Sequence, residues 1–425
     1  MIDQNKAPQN QESATNTGNA TNSAAMFTIF ITVFLDMVGV GIVIPIIAPL
    51  FLNPNAGVAP LAWFAGNWQN IALGFLLGSY SIAQFFGAPL LGAWADRFGR
   101  KRILVLALFG TAIGHALFGY GILIKAVWLL FAARIFDGFT GGNISIALSA
   151  IADISDEKTK TRNFGLVGAA FGLGFILGPY IGGKLCDPTI VSWFSNTTPF
   201  WFASVLSLLN ITLVFWRFPE TYTPKASKKS ANVFAGIQNL LNVRKFPELR
   251  NILLVLFLLT FGFSFFTQFF QVYLIHKFQF TPSNIGDTFA YIGLWVAITQ
   301  GGIMRPLAQR FRPTTILSYT ILALAVSFVI LLLPNSSYAL LATIPLISIF
   351  QGLTNPNVTN IVSSLGTSDS QGEILGIQQS AQSLAQALPP IISGFIVTLD
   401  IHLPIAVAAA VTLLAAIVFL KGVRV

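Results

Sequence analysis

Three ionisable residues stand inside long apolar stretches, where they are suited to proton chemistry. Asp36 lies about ten residues into one stretch, and Arg134 and Asp137 lie one helical turn apart in another. The helical rise puts Asp36 roughly 15 Å deep, where an ionised carboxylate in a bilayer costs about 2.5–3.5 kcal/mol. Asp36 is therefore predicted to gain and lose a proton, the alternative being a structural ion pair. Arg134 stays charged and needs a carboxylate or a polar cavity.

The remainder of the chain has the composition of a protein that holds such residues in lipid. Of its 425 residues 54% are hydrophobic and 9% are charged, against about 25% charged in soluble domains. Long continuous runs favour helices over the short alternating strands of a barrel. The predicted fold class is an all-α integral membrane protein with 12 transmembrane helices, over residues 27–52, 69–91, 103–124, 127–152, 163–185, 200–217, 250–274, 285–307, 314–334, 338–362, 374–399 and 403–421.

The net charge of +9 is explained by orientation in the membrane rather than by a nucleic-acid partner. Lys125, Lys184 and Lys277 are predicted outside and Arg134 within a helix, which leaves 20 of the 24 Lys and Arg residues on the cytoplasmic side. This bias follows the positive-inside rule. It predicts a multi-pass protein of a cell membrane, of the bacterial inner-membrane kind, with both termini cytoplasmic.

Residues of the first half reappear in the same order in the second half. The pairs are Ala95-Asp96-Arg97-Phe98 with Ala308-Gln309-Arg310-Phe311; Gly138, Thr140 and Asn143 with Gly352, Thr354 and Asn357; and Gly165, Pro179 and Gly183 with Gly376, Pro390 and Gly394. A duplicated six-helix unit is predicted, with a substrate site between the halves. The predicted divisions are a disordered tail (1–26), a first bundle (27–218), a cytoplasmic linker with a possible amphipathic helix (219–249) and a second bundle (250–425).

A loop motif between the second and third predicted helices resembles a signature of the major facilitator superfamily. It reads Gly92-Ala93-Trp94-Ala95-Asp96-Arg97-Phe98-Gly99-Arg100-Lys101-Arg102, with Trp94 in place of the family's leucine. The resemblance implies a conformational latch that involves Gly92, Asp96, Arg97, Gly99 and Arg100. Within it, Asp96 and Arg97 are expected to latch, and the residues from Arg100 to Arg102 mainly to anchor the loop.

The fifth predicted helix carries a glycine pattern that, within this superfamily, resembles proton-coupled antiporters. Small residues on one face allow another helix to pack closely, and a Gly-Pro step permits a bend. The pattern is present in full at Gly165, Gly174, Gly178, Pro179, Gly182 and Gly183.

Two further segments are similar to drug:proton antiporters of the tetracycline-resistance type. The segment Leu35–Pro45, with Asp36, resembles their first helix, and Leu130 to Gly138 resembles a fourth-helix pattern in which Asp137 replaces a polar residue. Two roles for Asp137 stay open. It either neutralises Arg134 permanently, or takes part in a relay in which protonation of Asp36 changes the acid that Arg134 holds.

The predicted second half has few deep charges and many amides. The candidates for an uncharged substrate cavity are Gln268, Gln271, Gln351, Asn355, Gln378 and Gln382. The alternative is that these amides hydrogen-bond between helices and stabilise the bundle.

The resemblance implies a secondary transporter that works by alternating access. The expected function is proton-coupled export of a small, largely apolar compound or drug. Import of a nutrient by proton symport is the alternative, and a non-transporting receptor is disfavoured by the well-kept motifs. The sequence shows no Walker loop, Ser-His-Asp pattern or metal cluster, and Cys186 is its only cysteine. We therefore expect no enzyme activity, cofactor or metal, and a monomer whose partners are substrate, protons and lipid.

Overall fold

The computed structural model describes residues 9–52, 67–155, 159–222, 234–364 and 371–422. Within these ranges the chain forms fifteen α-helices and no strand. Those of the first half are α1 (Gln9–Leu52), α2 (Asn67–Phe98), α3 (Arg100–Leu123), α4 (Val127–Thr140), α5 (Asn143–Ile154), α6 (Lys160–Leu185) and α7 (Thr198–Arg217). Those that follow are α8 (Ala235–Asn242), α9 (Pro247–Phe278), α10 (Pro282–Ile298), α11 (Met304–Arg310), α12 (Pro313–Leu331), α13 (Ser337–Ser364), α14 (Gln371–Ile396) and α15 (Leu403–Gly422).

The helices account for the twelve predicted spans, six in each half. Ten spans in the described ranges are long and apolar enough to cross a membrane, one of them the joined pair α4–α5. The other two predicted spans are α10–α11, interrupted by a π-helical segment at Thr299–Ile303, and α14, which carries Gln378 and Gln382. The prediction of an all-α membrane protein with twelve transmembrane helices is confirmed.

The first helix is longer than predicted. The segment before residue 27 is expected to be disordered, yet α1 begins at Gln9 and runs without a break into the apolar span. Ala25 and Met26 are buried against the bundle, which holds this turn in place. Residues 1–8 of the predicted tail, and residues 223–233 of the predicted linker, lie outside the described ranges.

Successive spans cross the bundle in alternating directions, so the start of the α1 span and the end of α15 lie on the same side. We call this the terminal side; it also carries α8 and the α2–α3 connection. We call the opposite side, with the connections α3–α4 and α6–α7, the distal side. The described parts of the distal connections are short, because α3 ends at Leu123 and α4 begins at Val127.

The two halves meet on the distal side through glycines in two symmetric contacts. A methyl group added at Gly74 of α2 would lie 2.5 Å from the Pro390 oxygen and 3.1 Å from Gly394 Cα in α14. In the other contact, a methyl group at Gly286 of α10 would lie 2.5 Å from the Pro179 oxygen and 3.1 Å from Gly183 Cα in α6. Pro179 and Gly183 are the repeat partners of Pro390 and Gly394, so the duplication has produced both contacts.

On the terminal side the halves are apart. The α6–α10 contact reaches Ile176 and Gly293, where a methyl group on the glycine would lie 3.1 Å from Ile176 Cα. Further toward the terminal side, a methyl group would meet nothing within 4 Å at Gly165, Gly168, Gly172, Gly301 and Gly302. The structure is therefore closed on the distal side and open on the terminal side.

Candidate proton-coupling site

Asp36 lies in the middle of the α1 span and is bound by an asparagine of the fourth span. Asn143 Nδ2 donates a hydrogen bond to Asp36 Oδ1 at 2.6 Å. The aim of Asn143 is set by a break in the span at Gly141 and Gly142, because Asn143 is the first residue after it. Gln84 of α2 holds this break by donating from Nε2 to the Gly141 oxygen at 2.9 Å.

Arg134 and Asp137 form a buried pair in α4. Arg134 Nη1 lies 3.7 Å from Asp137 Oδ2, and the two residues are 8% and 5% exposed. The guanidinium carbon lies 5.6 Å from the Tyr80 ring centre and 5.1 Å from that of Phe118. Two aromatic faces therefore support the cation by cation–π attraction on the sides that the carboxylate does not cover.

The structure thus divides the three predicted residues into two neighbouring units. Asp36 has Asn143 as its hydrogen-bond partner, and Arg134 has Asp137 as its ion-pair partner. At 3.7 Å the ion pair is longer than a hydrogen bond, and the Arg134 Nε atom is buried without a hydrogen-bond partner in the described part of the chain. The cation therefore retains a donor that a rearrangement of the site could satisfy.

The glycines of α6 pack directly on the part of α1 that carries Asp36. A methyl group at Gly178 would lie 2.7 Å from the Val38 oxygen and 2.8 Å from Gly41 Cα. Gly174 and Gly182, one turn away on each side, are equally close to α1. Gly183 instead faces α10, and Gly165 faces open space. The predicted pattern therefore serves two different contacts, one with α1 and one between the halves.

The loop motif forms an ionic cluster in which Arg100 is the central cation. Arg100 Nη1 lies 2.6 Å from Asp96 Oδ1, and Arg100 Nε donates to Asp153 Oδ2 at 3.1 Å. Glu220 Oε1 and Oε2 accept from the backbone N–H groups of Arg100 and Lys101 at the start of α3, at 2.7 and 3.2 Å. Asp96 and Arg97 are expected to latch and Arg100 mainly to anchor the loop; in this structure the spacing of four residues brings Arg100 to the Asp96 carboxylate. The guanidinium carbon of Arg97 instead lies 5.2 Å from the Phe98 ring centre, and Gly92 lies in α2 with Ser145 Oγ 4.0 Å from its methyl position.

The predicted cavity amides lie in different environments. Gln271 is 1% exposed, and its Oε1 lies 3.4 Å from the Ala48 N–H of α1, so it belongs to the contact between the halves. Gln378 is 7% exposed, and its Oε1 has no hydrogen-bond partner among the described residues. Gln268, Gln351 and Gln382 are half-buried, and Asn355 is exposed.

Several functional contacts have no sequence prediction. Asn143 appears in the sequence only as a repeat residue, since a neutral amide in an apolar run carries no charge to mark it. Asp153 lies in the last turn of α5, and Glu220 lies beyond the end of α7. On the distal side, Lys184 Nζ lies 2.8 Å from Asp287 Oδ2 and donates to Ser283 Oγ at 3.0 Å. Lys184 belongs to α6 and Asp287 to α10, so this ion pair joins the halves.

We expect reversal of the Lys184 charge to weaken distal closure. The partners are 30% and 46% exposed, and exposed pairs contribute about 0.2–1 kcal/mol, so Lys184→Asp should favour distal opening by about two- to fivefold. The probe is Ala48→Cys, a position that is fully buried beside Gln271. Its labelling by an impermeant maleimide, added from the distal side, should rise by that factor.

The native thiol does not obstruct this measurement. Cys186 is buried, and burial raises the pKa of its thiol, so it forms little reactive thiolate; Cys186→Ser removes it. The double variant Lys184→Asp with Asp287→Lys should restore the original labelling rate. Lys125→Asp, on the same side but outside the contact, is the control. Equal labelling of the single and double variants would contradict the ion-pair role.

Comparison with known proteins places the whole chain in one family. The family model "Major Facilitator Superfamily" matches residues 29–388 and 301–424. Multidrug resistance protein 1 of Bacillus subtilis (strain 168) is 29% identical over 381 residues, which cover 89% of this chain and 91% of that protein. The class D tetracycline resistance protein of Salmonella ordonez is 28% identical over 378 residues, covering 88% and 90%.

Solved structures with the same architecture include transporters of several kinds. The human organic anion transporter MFSD10 (TETRAN) has a TM-score of 0.72 at 23% identity, covering 94% of this chain and 99% of that one. A D-xylose–proton symporter has a TM-score of 0.75 at 16% identity, covering 94% and 98%. At these identities the structures show a shared fold, and together with the family match they establish that the chain belongs to the major facilitator superfamily.

Proposed function

We propose that this protein is a proton-coupled antiporter that exports a small, largely apolar compound by alternating access. The observation that carries the proposal is a mid-membrane carboxylate, Asp36, held by a neutral amide at 2.6 Å beside a buried Arg134–Asp137 pair. An intramembrane acid of this kind is functional by default. The named relatives, which include multidrug and tetracycline resistance proteins, support export as the direction.

We assign the terminal side to the cytoplasm. The described lysines and arginines lie mostly on that side, and the distal connections carry only Lys125, Lys184 and Lys277. The positive-inside rule then places both termini in the cytoplasm, in a bacterial inner membrane, and the structure is the inward-open state.

The proposed cycle makes protons and substrate compete for one cavity. When the distal side is open, Asp36 takes a proton from outside; when the terminal side is open, it releases the proton and substrate binds from the cytoplasm. Asn143 holds the carboxylate by donating to it. A proton moving inward across 100 mV supplies about 2.3 kcal/mol, in addition to any pH gradient.

Substrate contact is assigned mainly to the second half. Gln378 offers a buried acceptor that has no hydrogen-bond partner among the described residues. Gln382 of α14 and Gln351 of α13 are half-buried. Uncharged amides suit a largely apolar compound that carries a few polar groups. Transport requires no covalent chemistry, so we propose that the protein has no enzyme activity. We also propose that it works as a monomer.

The loop cluster is the proposed latch of the cycle. Asp96 is 41% exposed on its side chain and is held by Arg100 rather than by the second half. Its counterpart in the repeat is Gln309, so a charged latch exists in the first half alone. We propose that this carboxylate changes partner when the terminal side closes.

The direction of proton-driven flux tests the proposal. In proteoliposomes loaded with tetracycline as the probe, an imposed pH gradient should drive probe and protons in opposite directions, with about tenfold accumulation per pH unit for each coupled proton. Reversing the gradient should reverse the flux. Movement of probe and protons together would indicate a symporter. The same flux is measured for a panel of other cationic and neutral drugs. Binding of the probe without transport of it or of any drug in the panel would overturn a transport role.

A further inference from the structure

The short helix α8 contacts both halves of the protein. Next to it, the Phe234 ring lies 6.3 Å from the Phe86 ring of α2, and a methyl group at the buried Gly236 would lie 3.0 Å from Phe85 Cζ. On its other side, Asn239 Nδ2 donates to Ser380 Oγ of α14 at 3.3 Å. The helix therefore lies between α2 and α14.

The space that α8 fills is where α2 and α14 would otherwise continue their contact. The two helices run antiparallel, and on the distal side Gly74 meets Gly394 and Gly78 meets Ile391. Toward the terminal side, residue numbers increase along α2 and decrease along α14, by about four residues per turn. This register brings Phe85 opposite the region of Ser380. These are the positions that α8 separates.

The symmetric cleft on the opposite flank contains no such helix in the described part of the chain. Between α6 and α10–α11, glycines of both halves meet nothing within 4 Å of their methyl positions. The internal repeat generates two equivalent clefts, and the linker fills only one. The position of α8 is thus an addition to the duplicated fold rather than a product of it.

The face of α8 that points away from the cleft is mainly apolar, with Gln238 as an exposed polar residue on it. Phe234, Ile237 and Leu241 are exposed, at spacings of three and four residues, and Arg244 follows as an exposed cation. A helix with this pattern is stable at a membrane interface. The bilayer would therefore hold α8 at its depth while its inner face occupies the cleft.

We propose that α8 is a wedge that holds the terminal side open and must leave the cleft between α2 and α14 before that side can close. The halves rock about the distal glycine contacts, so Phe85 and Ser380 must approach each other for closure. With α8 in place, its backbone and side chains fill the space between Phe85 and Ser380 and block that approach. The wedge acts on the conformational change itself and is independent of the transported compound.

A disulfide tests whether α8 has to move. Asn239 Nδ2 lies 3.4 Å from the methyl position of Gly376, so Asn239→Cys with Gly376→Cys in the full-length Cys186→Ser protein should cross-link on oxidation. Distal opening is measured by maleimide labelling of Ala48→Cys from outside intact cells. Oxidation should reduce labelling at least tenfold, and reductant should restore it.

The control disulfide lies on the same side but within one half. Asn251 Nδ2 lies 3.0 Å from the methyl position of Gly422, and Asn251→Cys with Gly422→Cys should leave the labelling of Ala48→Cys unchanged on oxidation. Unchanged labelling of the cross-linked Asn239–Gly376 pair would overturn the wedge. The readout needs no substrate, so its failure is distinct from failure of the antiporter proposal.

A second variant weakens the wedge without a cross-link. Asn239→Ala removes the hydrogen bond to Ser380 and should favour distal opening, raising the labelling of Ala48→Cys about two- to tenfold, the range expected for one hydrogen bond. Asn242→Ala, at the end of the same helix, is the matched control. A fall in labelling with Asn239→Ala would contradict the proposal.

Discussion

Asp36→Asn is expected to abolish uphill, proton-driven transport while substrate exchange continues. Asparagine has nearly the shape of the protonated acid, and its side-chain oxygen still accepts from Asn143 Nδ2, which now lies 2.6 Å from Asp36 Oδ1. The variant therefore keeps the cavity but has no proton to exchange. In proteoliposomes with a one-unit pH gradient, accumulation of tetracycline should fall from about tenfold per coupled proton to none.

Two further measurements separate coupling from folding. Counterflow of labelled against unlabelled probe, without a gradient, should stay within about twofold of the parent protein, because exchange needs only alternating access. Asp400→Asn changes an exposed acid on the distal side and should leave coupling intact. Uphill accumulation at the parent level in Asp36→Asn would remove this residue from the coupling mechanism.

Asp137→Asn distinguishes the two roles left open for that acid. If Asp137 only neutralises Arg134, the variant leaves a buried cation with no carboxylate, which typically costs about 3–5 kcal/mol of folding free energy. The protein should then be unstable while any folded fraction stays coupled. If the three residues form a relay, Asp137→Asn should fold and lose coupling. Thermal unfolding in detergent, combined with uphill accumulation of tetracycline under the pH gradient, tells the two results apart.

Valine at Gly286 or Gly394 is expected to prevent closure of the distal side. A first side-chain carbon at Gly286 lies 2.5 Å from the Pro179 oxygen, and one at Gly394 lies 2.7 Å from the Asn70 oxygen. Both are contacts with backbone, which cannot rotate away as a side chain can. We expect Gly394→Val to raise distal labelling of Ala48→Cys more than tenfold and to reduce transport strongly, because the cycle stops in the distal-open state.

Glycines at the terminal end of the α6–α10 cleft, which Gly286 closes on the distal side, provide the matched control. Gly168 and Gly301 have nothing within 4 Å of their methyl positions, so Gly168→Val and Gly301→Val should leave distal closure intact. Normal labelling in Gly394→Val would show that the distal contact is looser than its geometry indicates. Equal effects at Gly394 and Gly168 would point to general damage to the fold.

The charged residues of the candidate site can be identified from the sequence because charged residues are rare in membrane-spanning helices. Asp36, Arg134 and Asp137 stand out against apolar neighbours, and the structure brings the last two into one pair and Asp36 near them. Their partners are harder to predict. Asn143 is aimed at Asp36 by the break at Gly141 and Gly142, and its hydrogen bond spans 107 residues of sequence.

The contacts that the sequence does not predict share one physical cause. Periodicity shows which residues share a helix face, but it does not show what that face meets. Gln271 is a cavity candidate in the sequence, and in the structure it is buried against α1 between the halves. In the sequence Lys184 and Asp287 look like ordinary charged residues near helix ends, and only the tertiary fold brings them together. The glycine pattern predicts that another helix packs closely against α6, while only the structure shows which helix that is.

The four glycines of the distal contacts meet the backbone of the opposite half, and this has a consequence for the transported compound. Gly74, Gly183, Gly286 and Gly394 contribute no side chain that could sense size, charge or shape. These glycine contacts form the distal gate. The gate closes to the same arrangement of the two halves whatever compound the cavity contains. Selection among compounds is then left to the cavity and the proton, so the cavity can change to accept a different compound while the gate stays unaltered.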